Sequence, residues 1–339
     1  MKAVWLRPPG NLEALRMEDM ADPGDPGPGA IRVRLHASSL NFHDLLVVSG
    51  RMAPATPLGE GRIPMSDGAG MVEAVGDGVT EFAVGDAVIS LIFPQWQDGG
   101  AAVASFSGTP GDGLDGYARE AVIAPATWFT QAPRGYSHAE AATVVVAGLT
   151  AWRALVVDGG LKPGDVVLTL GTGGVSIFAL QLAKAMGARV IVTSSSDAKL
   201  ERARALGADH TINYRTTEQW AGAVLELTEG RGADHVMEIG GPGTLSQSME
   251  ACRIGGRIAM IGILTGAKGE VRTGLLIGRQ QRLQGLLAGS RKHQQDLVRA
   301  LDGLSLRPVI DRTFPLEQTA DAFRYEMSGQ HFGKICLEI

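Results

Sequence analysis

The stretch Val166–Ala188, VVLTLGTGGVSIFALQLAKAMGA, joins a short apolar run to a glycine turn and then to a helical pattern. Gly171, Gly173 and Gly174 fall between the expected strand and the expected helix. A tight turn there brings backbone N–H groups and a helix N-terminus against a pyrophosphate. A glycine motif alone is weak. In a strand–turn–helix context inside a βαβ unit it points to a dinucleotide, with a purely structural turn as the alternative. Ser176 takes the place of a third glycine and is small enough for helix–strand packing. The residues expected at the phosphates are Gly171, Thr172, Gly173, Gly174 and Val175.

Working outward, strand and helix patterns alternate. ARVIVTSS leads into DAKLERARALG, and DHTINY, ADHVMEIG and GRIAMIGIL continue the series. Regular βα alternation predicts a parallel sheet with helices on both faces. The segment opens near Ser137, where SHAE carries Glu140 three residues on, the signature of a helix-capping box. Before it the chain reads as short strands and turns: KAVWL, AIRVRLHA, GMVEAVG, DAVISLI and GYAREAVIA, punctuated by DPGDPGPG. AIRVRLHA alternates, with Ile31, Val33, Leu35 and Ala37 on one face and Arg32, Arg34 and His36 on the other. Residues 94–116 read as a long loop, a length that usually signals function or mobility. After about residue 305 the β-like texture returns in PVIDRTFP and HFGKICLEI. The expected division is therefore 1–128 with 305–339, and 129–304.

The totals exclude several classes. The chain has 339 residues, enough for two domains with real cores. Its net charge is −5 with no basic run, which argues against a nucleic-acid surface. Two distant cysteines, Cys252 and Cys336, rule out a disulfide framework or a cysteine-based zinc cluster, and fit a reducing cytoplasm. No secretory leader is read in MKAVWLRPPGN, and no continuous apolar run is long enough to span a membrane.

The second strand of the nucleotide unit bears on which dinucleotide binds. An NAD site places Asp or Glu about 20 residues beyond the glycine turn. Here VIVTSSSDAK puts Ser194 and Ser195 there, with Lys199 a turn later and Tyr214–Arg215 after the next strand. Hydroxyls and a cation suit a 2′-phosphate, whereas a carboxylate repels it. The expectation is NADP(H). The alternative is that the serines only cap the next helix and Lys199 is a solvated charge. Asp197, the nearest acid, falls within that helix.

A second stretch, Ser38–Leu46 or SSLNFHDLL, sets His43 beside Asp44. His43 has three readings: metal ligand, proton donor or helix-start residue with no chemical role. Taken together, NFHDLLVVSG, IPMSDGAGMVEAVGDGVTEFAVGDAV, VVVAGLTAWRAL, LKPGDVVLTLGTGGVSIFALQLAKAMGA, KLERARALGADHTINYR and HFGKICLEI resemble the medium-chain dehydrogenase/reductase superfamily over nearly the full length, in its order. The resemblance implies an α/β protein: a Rossmann doubly wound parallel sheet plus a GroES-like, mostly β catalytic domain formed by the N-terminal part and the C-terminal tail. It implies an active site in the cleft between them.

Zinc enzymes of that superfamily carry Cys, a Gly-His-Glu motif and a second Cys or Asp. This chain has Asn41, Met65–Ser66–Asp67 and Val146 there, and no cysteine in residues 94–116. Such residues do not make a closed tetrahedral zinc site, so no metal is expected. The rest resembles the zinc-free branch of quinone oxidoreductases and enone reductases, except that Met52 stands where those often carry tyrosine. Asn41 can hold a substrate carbonyl oxygen; by resemblance, Asp67 and Asp44 are acids near the cleft, Asp44 as a group that orients neighbours rather than reacts. His43 is a candidate proton donor, its ordinary pKa of about 6.5 permitting both states near neutrality. Asn41 and Asp44 as helix caps remain an alternative. Thr150 and Gly262, Ile263 and Leu264 are implied at the nicotinamide, and Gln95 and Trp96 are candidate pocket residues.

The expected activity is NADPH-dependent reduction of activated C=C bonds in small enones or quinones. A zinc-free alcohol dehydrogenase or carbonyl reductase, and a non-catalytic NADPH-binding protein, are the competing readings. Resemblance also implies a homodimer joined through a last strand at GRIAMIGIL, with TGLLIGRQQRLQGLLAG contributing.

Overall fold

A computed structural model describes residues 1–339. In chain order its elements are β1 (Lys2–Leu6), β2 (Leu15–Asp19), β3 (Ala30–Ser39), α1 (Phe42–Val48), β4 (Ala69–Val75), β5 (Ala87–Ser90), β6 (Ala121–Pro125), β7 (Phe129–Gln131), α2 (His138–Ala142), α3 (Leu149–Trp152), β8 (Val166–Leu170), α4 (Gly174–Ala185) and β9 (Arg189–Ser194). There follow α5 (Asp197–Ala205), β10 (His210–Asn213), α6 (Trp220–Leu227), β11 (Ala233–Glu238), α7 (Pro242–Ala251), β12 (Cys252–Met260), α8 (Thr273–Gly278), β13 (Arg282–Gly285), α9 (Arg291–Gly303), β14 (Ile310–Pro315), α10 (Thr319–Met327) and β15 (Lys334–Glu338).

The chain forms two compact units, Met1–Leu149 with Gly289–Ile339, and Thr150–Ala288. The first is built on a mostly antiparallel sheet in the order β14-β15-β3-β4-β5-β7, with β6 also paired to β3. The alternation of β3 sets its faces: Ile31, Val33, Leu35 and Ala37 are buried, while Arg32 and Arg34 face out to Glu73 on β4. The C-terminal strand enters this sheet, with Cys336 opposite Ser39 in antiparallel register. The sequence division at 128/129 and 304/305 differs from these units. β7 pairs with β5, α2 packs on β3 and β4, and Gln294 of α9 donates to the Ser90 carbonyl and to Thr130. Residues 129–149 and 289–304 therefore pack with the first unit.

The capping box at the start of α2 is present: Ser137 Oγ accepts from Glu140 N and Glu140 Oε2 accepts from Ser137 N. The helical run His138–Val157 is long and apolar enough to cross a membrane by length and composition, but 72% of its apolar window is buried inside the fold. It has the character of a core helix.

The second unit is a six-stranded, all-parallel sheet in the order β10-β9-β8-β11-β12-β13. Val166, Val167 and Leu168 of β8 are fully buried, as a central strand covered on both faces requires. The order reverses between β8 and β11, which opens a crevice at the carboxyl ends of the strands. One expectation is corrected here. GRIAMIGIL is not the edge: β12 is flanked by β11 and by β13, and β13, RLQG, is the outer strand. Its four residues hold one apolar side chain, Leu283, and so carry no apolar run from which a strand could be read.

Candidate active site

The glycine turn adopts the backbone its sequence requires. Gly171 has φ of +74°, a region L-residues avoid, and follows directly on β8. Thr172 is buried, Gly173 is the N-cap of α4, and Gly174 and Val175 open that twelve-residue helix. Ser176 is buried and donates its hydroxyl to the Leu170 carbonyl at 2.7 Å, tying helix to strand. The orphan N–H groups of the first helical turn and the positive end of the helix thus face the crevice.

Ser194 ends β9 and is 4% exposed, with Ser195 next to it partly exposed. The cap of α5 is Ser196, whose Oγ accepts from Lys199 N at 3.4 Å. Capping therefore does not consume Ser195. Lys199 lies in the first turn of α5. Asp197 points to β10, where it accepts from Asn213 Nδ2 at 2.8 Å. Tyr214 lies beside Ser194, its N–H donating to the Ser194 carbonyl at 3.1 Å, and it is exposed. The fold thus brings Gly171, Ser194, Ser195, Lys199 and Tyr214 to one end of one sheet.

At the ends of β11 and β12 the turn is fixed by a residue the sequence reading passed over. Glu238 is fully buried and accepts from Gly240 N (2.8 Å), Gly241 N (2.9 Å), Thr244 Oγ1 (2.6 Å) and Ser248 Oγ (2.5 Å). A Cβ on Gly262 would lie 2.1 Å from the Ile239 carbonyl oxygen, so the two turns pack backbone to backbone. This leaves Ile263 and Leu264 exposed at the same end of the sheet, 47% and 57% respectively. An acid followed by a glycine pair, EIGGPG, was the available signal. Thr150 is buried in the helical run that opens this unit.

In the first unit, Asn41 caps α1 and sits in a closed polar cluster. Its Nδ2 meets Asp67 Oδ2 at 2.8 Å, the Ser39 carbonyl at 3.0 Å and Asp44 Oδ2 at 3.1 Å. Its Oδ1 accepts from Lys334 Nζ at 2.7 Å. Asp44 also accepts from the backbone N–H groups of Asn41 and Ser66 and from Ser66 Oγ. Asp67 accepts from Ser39 N at 2.6 Å, Ser39 Oγ at 2.7 Å and Ser38 Oγ at 3.2 Å. Burial pushes the Asp67 carboxyl up to about 6 and Asp44 upward as well. The role implied for Asn41, holding a substrate oxygen, is not what this geometry provides. Both ends of its amide are spent inside the protein, and it is 7% exposed. Asp44 and Asp67 likewise act inward, the capping alternative for Asn41 and Asp44.

His43 points elsewhere. Its Nε2 lies 3.1 Å from Asp112 Oδ2, and its ring stacks on Phe106 with centroids 4.1 Å apart. Asp112 is 1% exposed, and its other oxygen accepts from Ala55 N at 2.6 Å. Both partners come from the 94–116 loop. That loop is anchored on a strained residue: Met65 is buried with φ of +79°. Cβ atoms on Gly111 or Gly116 would collide with the Met65 backbone at 2.8 and 2.2 Å. Backbone held in a sparsely populated region is often found at functional sites. Asp112 is the main residue sequence reading missed; GTPGDGLDG gives it no periodicity and no motif. Of the two loop candidates, Gln95 is exposed and Trp96 is buried edge-on to His293. Met52 packs against the core.

A zinc ion does not fit these residues. The positions at issue hold an amide, a hydroxyl and the valine Val146, and no group of three His, Cys, Asp or Glu converges anywhere. Asn41 Oδ1 already faces the Lys334 ammonium. No chemical step is drawn through a metal.

Comparison with known proteins places both units. Residues 27–134 match the alcohol dehydrogenase GroES-like domain and residues 174–303 the family described as zinc-binding dehydrogenase. A zinc-type alcohol dehydrogenase-like protein of Schizosaccharomyces pombe, C1773.06c, is 40% identical over 97% of this chain and 96% of its own. A 2-haloacrylate reductase of a Burkholderia species is 31% identical over 93% and 92%. Among solved structures, a putative alcohol dehydrogenase of Sinorhizobium meliloti 1021 superposes with TM-score 0.90 at 43% identity, covering 96% of this chain and 95% of that one. The quinone oxidoreductase of Pseudomonas syringae gives 0.81 at 30%, covering 100% and 99%. Mycobacterial Rv1454c, complexed with NADPH, gives 0.81 at 27%, covering all of both chains. With a GroES-like unit, a doubly wound parallel sheet and a glycine turn at its switch point, the chain belongs to the medium-chain dehydrogenase/reductase superfamily of oxidoreductases.

Proposed function

We propose that the chain is an NADP(H)-dependent reductase of activated C=C bonds, with His43 as the proton donor and Asp112 as the residue that orients it. The observation that carries this reading is the His43–Asp112 pair. A buried carboxylate on one ring nitrogen selects the tautomer and orientation of the imidazole, as a general acid needs. When bound, a reduced dinucleotide would supply hydride. Delivered to the β-carbon of a conjugated carbonyl, hydride leaves an enolate whose charge is spread over carbon and oxygen. That product needs a proton donor and hydrogen-bond donors, not a Lewis acid. The stacked Phe106 and the nearby Phe93, with centroids 5.9 Å apart, give His43 an apolar surround that suits a flat unsaturated substrate.

Support for NADP(H) comes from Ser194 and Ser195 at the end of β9 and Lys199 in the first turn of α5, while the nearest acid, Asp197, is paired with Asn213. Relatives named for NADPH binding and for 2-haloacrylate and quinone reduction are consistent with it. The alcohol dehydrogenase-like names of other relatives favour attack at a carbonyl carbon as the second reading. One incubation with NADPH and an α,β-unsaturated ketone separates them. A saturated ketone is expected, an allylic alcohol establishes the second reading, and tight NADPH binding without product overturns both.

The assembly proposed is a homodimer joined along β13. That strand is unpaired on its outer side, and Ile254, Ile277 and Leu287 in the same unit are exposed.

A further inference from the structure

The polar cluster around Asn41 holds a cation that belongs to the chain. Lys334, on β15, is 4% exposed, and its ammonium donates to the Leu40 carbonyl and to Asn41 Oδ1. A buried ammonium costs several kcal/mol unless negative charge and hydrogen bonds compensate it. Both conditions are met through one amide. Asn41 receives the ammonium on its oxygen and presents its nitrogen to Asp67 at 2.8 Å and to Asp44 at 3.1 Å.

The groups that face this cluster come from four elements. α1 supplies Asp44 and the neighbouring His43, the segment before β4 supplies Asp67, α10 supplies Glu326, and β15 supplies Cys336 beside Lys334. Burial pushes Glu326 up to about 7 and Cys336 up to about 12, and raises Asp44 and Asp67; in all four, Lys334 acts in the opposite sense and favours the ionised form. Glu326 Oε2 has no hydrogen-bond partner. One ammonium thus stands against three carboxyls, Asp44 and Asp67 fully buried and Glu326 partly so; His43 also favours the ionised form of Asp44, but Lys334 alone acts on all three.

We propose that Lys334 is the fixed cation of this site, a positioning residue that holds the N-terminus of α1 through Asn41 and neutralises the carboxyls gathered on that amide. The link to catalysis rests on the reductase reading, because α1 carries His43; the charge balance does not.

The test uses the full chain and does not require turnover. Lys334→Met keeps the length of the stem and removes the charge. Its melting temperature is compared with that of the wild type at about pH 5 and about pH 8. Without the ammonium, the folded-state pKa values of Asp44 and Asp67 rise further above their unfolded value of about 3.9, so stability is lost as pH rises. The deficit is therefore expected to be larger at the higher pH. An equal deficit at both would mean that Lys334 only fills space, and would overturn the proposal. Should the variant not fold, the wild type decides. Lysine Nζ 15N spectra at neutral pH are expected to show one slowly exchanging ammonium signal, and a neutral-amine signal or none would overturn it. Failure of enone reduction with either charge result intact would overturn the reductase reading alone.

Discussion

His43 Nε2 and Asp112 Oδ2 lie 3.1 Å apart although 69 residues separate them in the chain. The histidine comes from the first turn of a helix and the aspartate from a loop without regular structure. Neither residue can be assigned a role until the other is in place.

If this pair delivers the proton, His43→Ala lowers kcat by about 10²–10⁴-fold, the usual range for a general acid. Asp112→Asn leaves the histidine but loosens its orientation, and a smaller loss of about tenfold is expected. Steady-state kinetics with NADPH and an unsaturated ketone provide the check. An unchanged kcat in His43→Ala would assign the proton to water or another group.

If the chain takes NADP(H) as proposed, cofactor choice turns on the end of β9. Ser195→Asp then places a carboxylate beside the proposed 2′-phosphate position, so like-charge repulsion disfavours NADPH and leaves NADH. The ratio of kcat/KM for NADPH over NADH is expected to fall by roughly 10–100-fold, or about 1.4–2.7 kcal/mol. A ratio that does not move would mean the phosphate is bound elsewhere.

Acid stability has a named contributor. Burial raises the Asp234 carboxyl, but the Arg231 and Arg253 guanidinium groups and the Val166 N–H outweigh it and hold the pKa down at about 2. A depressed folded-state value means the stabilisation is present above the unfolded pKa of about 3.9 and is lost as pH falls through about 2. Asp234→Asn therefore lowers the melting temperature at neutral pH, with a cost of about 1 kcal/mol, because Arg231 and Arg253 are partly exposed and solvent screens their charges. The difference from wild type should shrink toward pH 2, as followed by thermal melts across the acid range.

The outer strand of the parallel sheet sets the last expectation. Sedimentation equilibrium at micromolar concentration should give a dimer, and Leu283→Pro, in the middle of β13, should shift it toward monomer by removing an edge N–H. A monomeric wild type would refute the assembly.

Local periodicity made much of this fold legible. The alternation in β3, the capping box at Ser137 and the strand–turn–helix at Gly171 are each decided by residues within a few positions of one another. Backbone preference and burial of one face act at that range. The glycine turn and the end of β9 were legible for the same reason, since glycine conformations and a strand terminus are local features. The sequence could not show β13 as an edge, because its residues carry no alternation and only pairing with β12 makes them a strand. Nor could it show that Asn41 turns inward. That depends on Lys334, which arrives 293 residues later when the C-terminal strand joins β3. Asp112 was hidden likewise, since a loop has no period and its contacts exist only once Met65 and the glycines fix its path. Charge pairing and hydrogen bonding between distant segments depend on distance in space, and tertiary structure alone sets that distance.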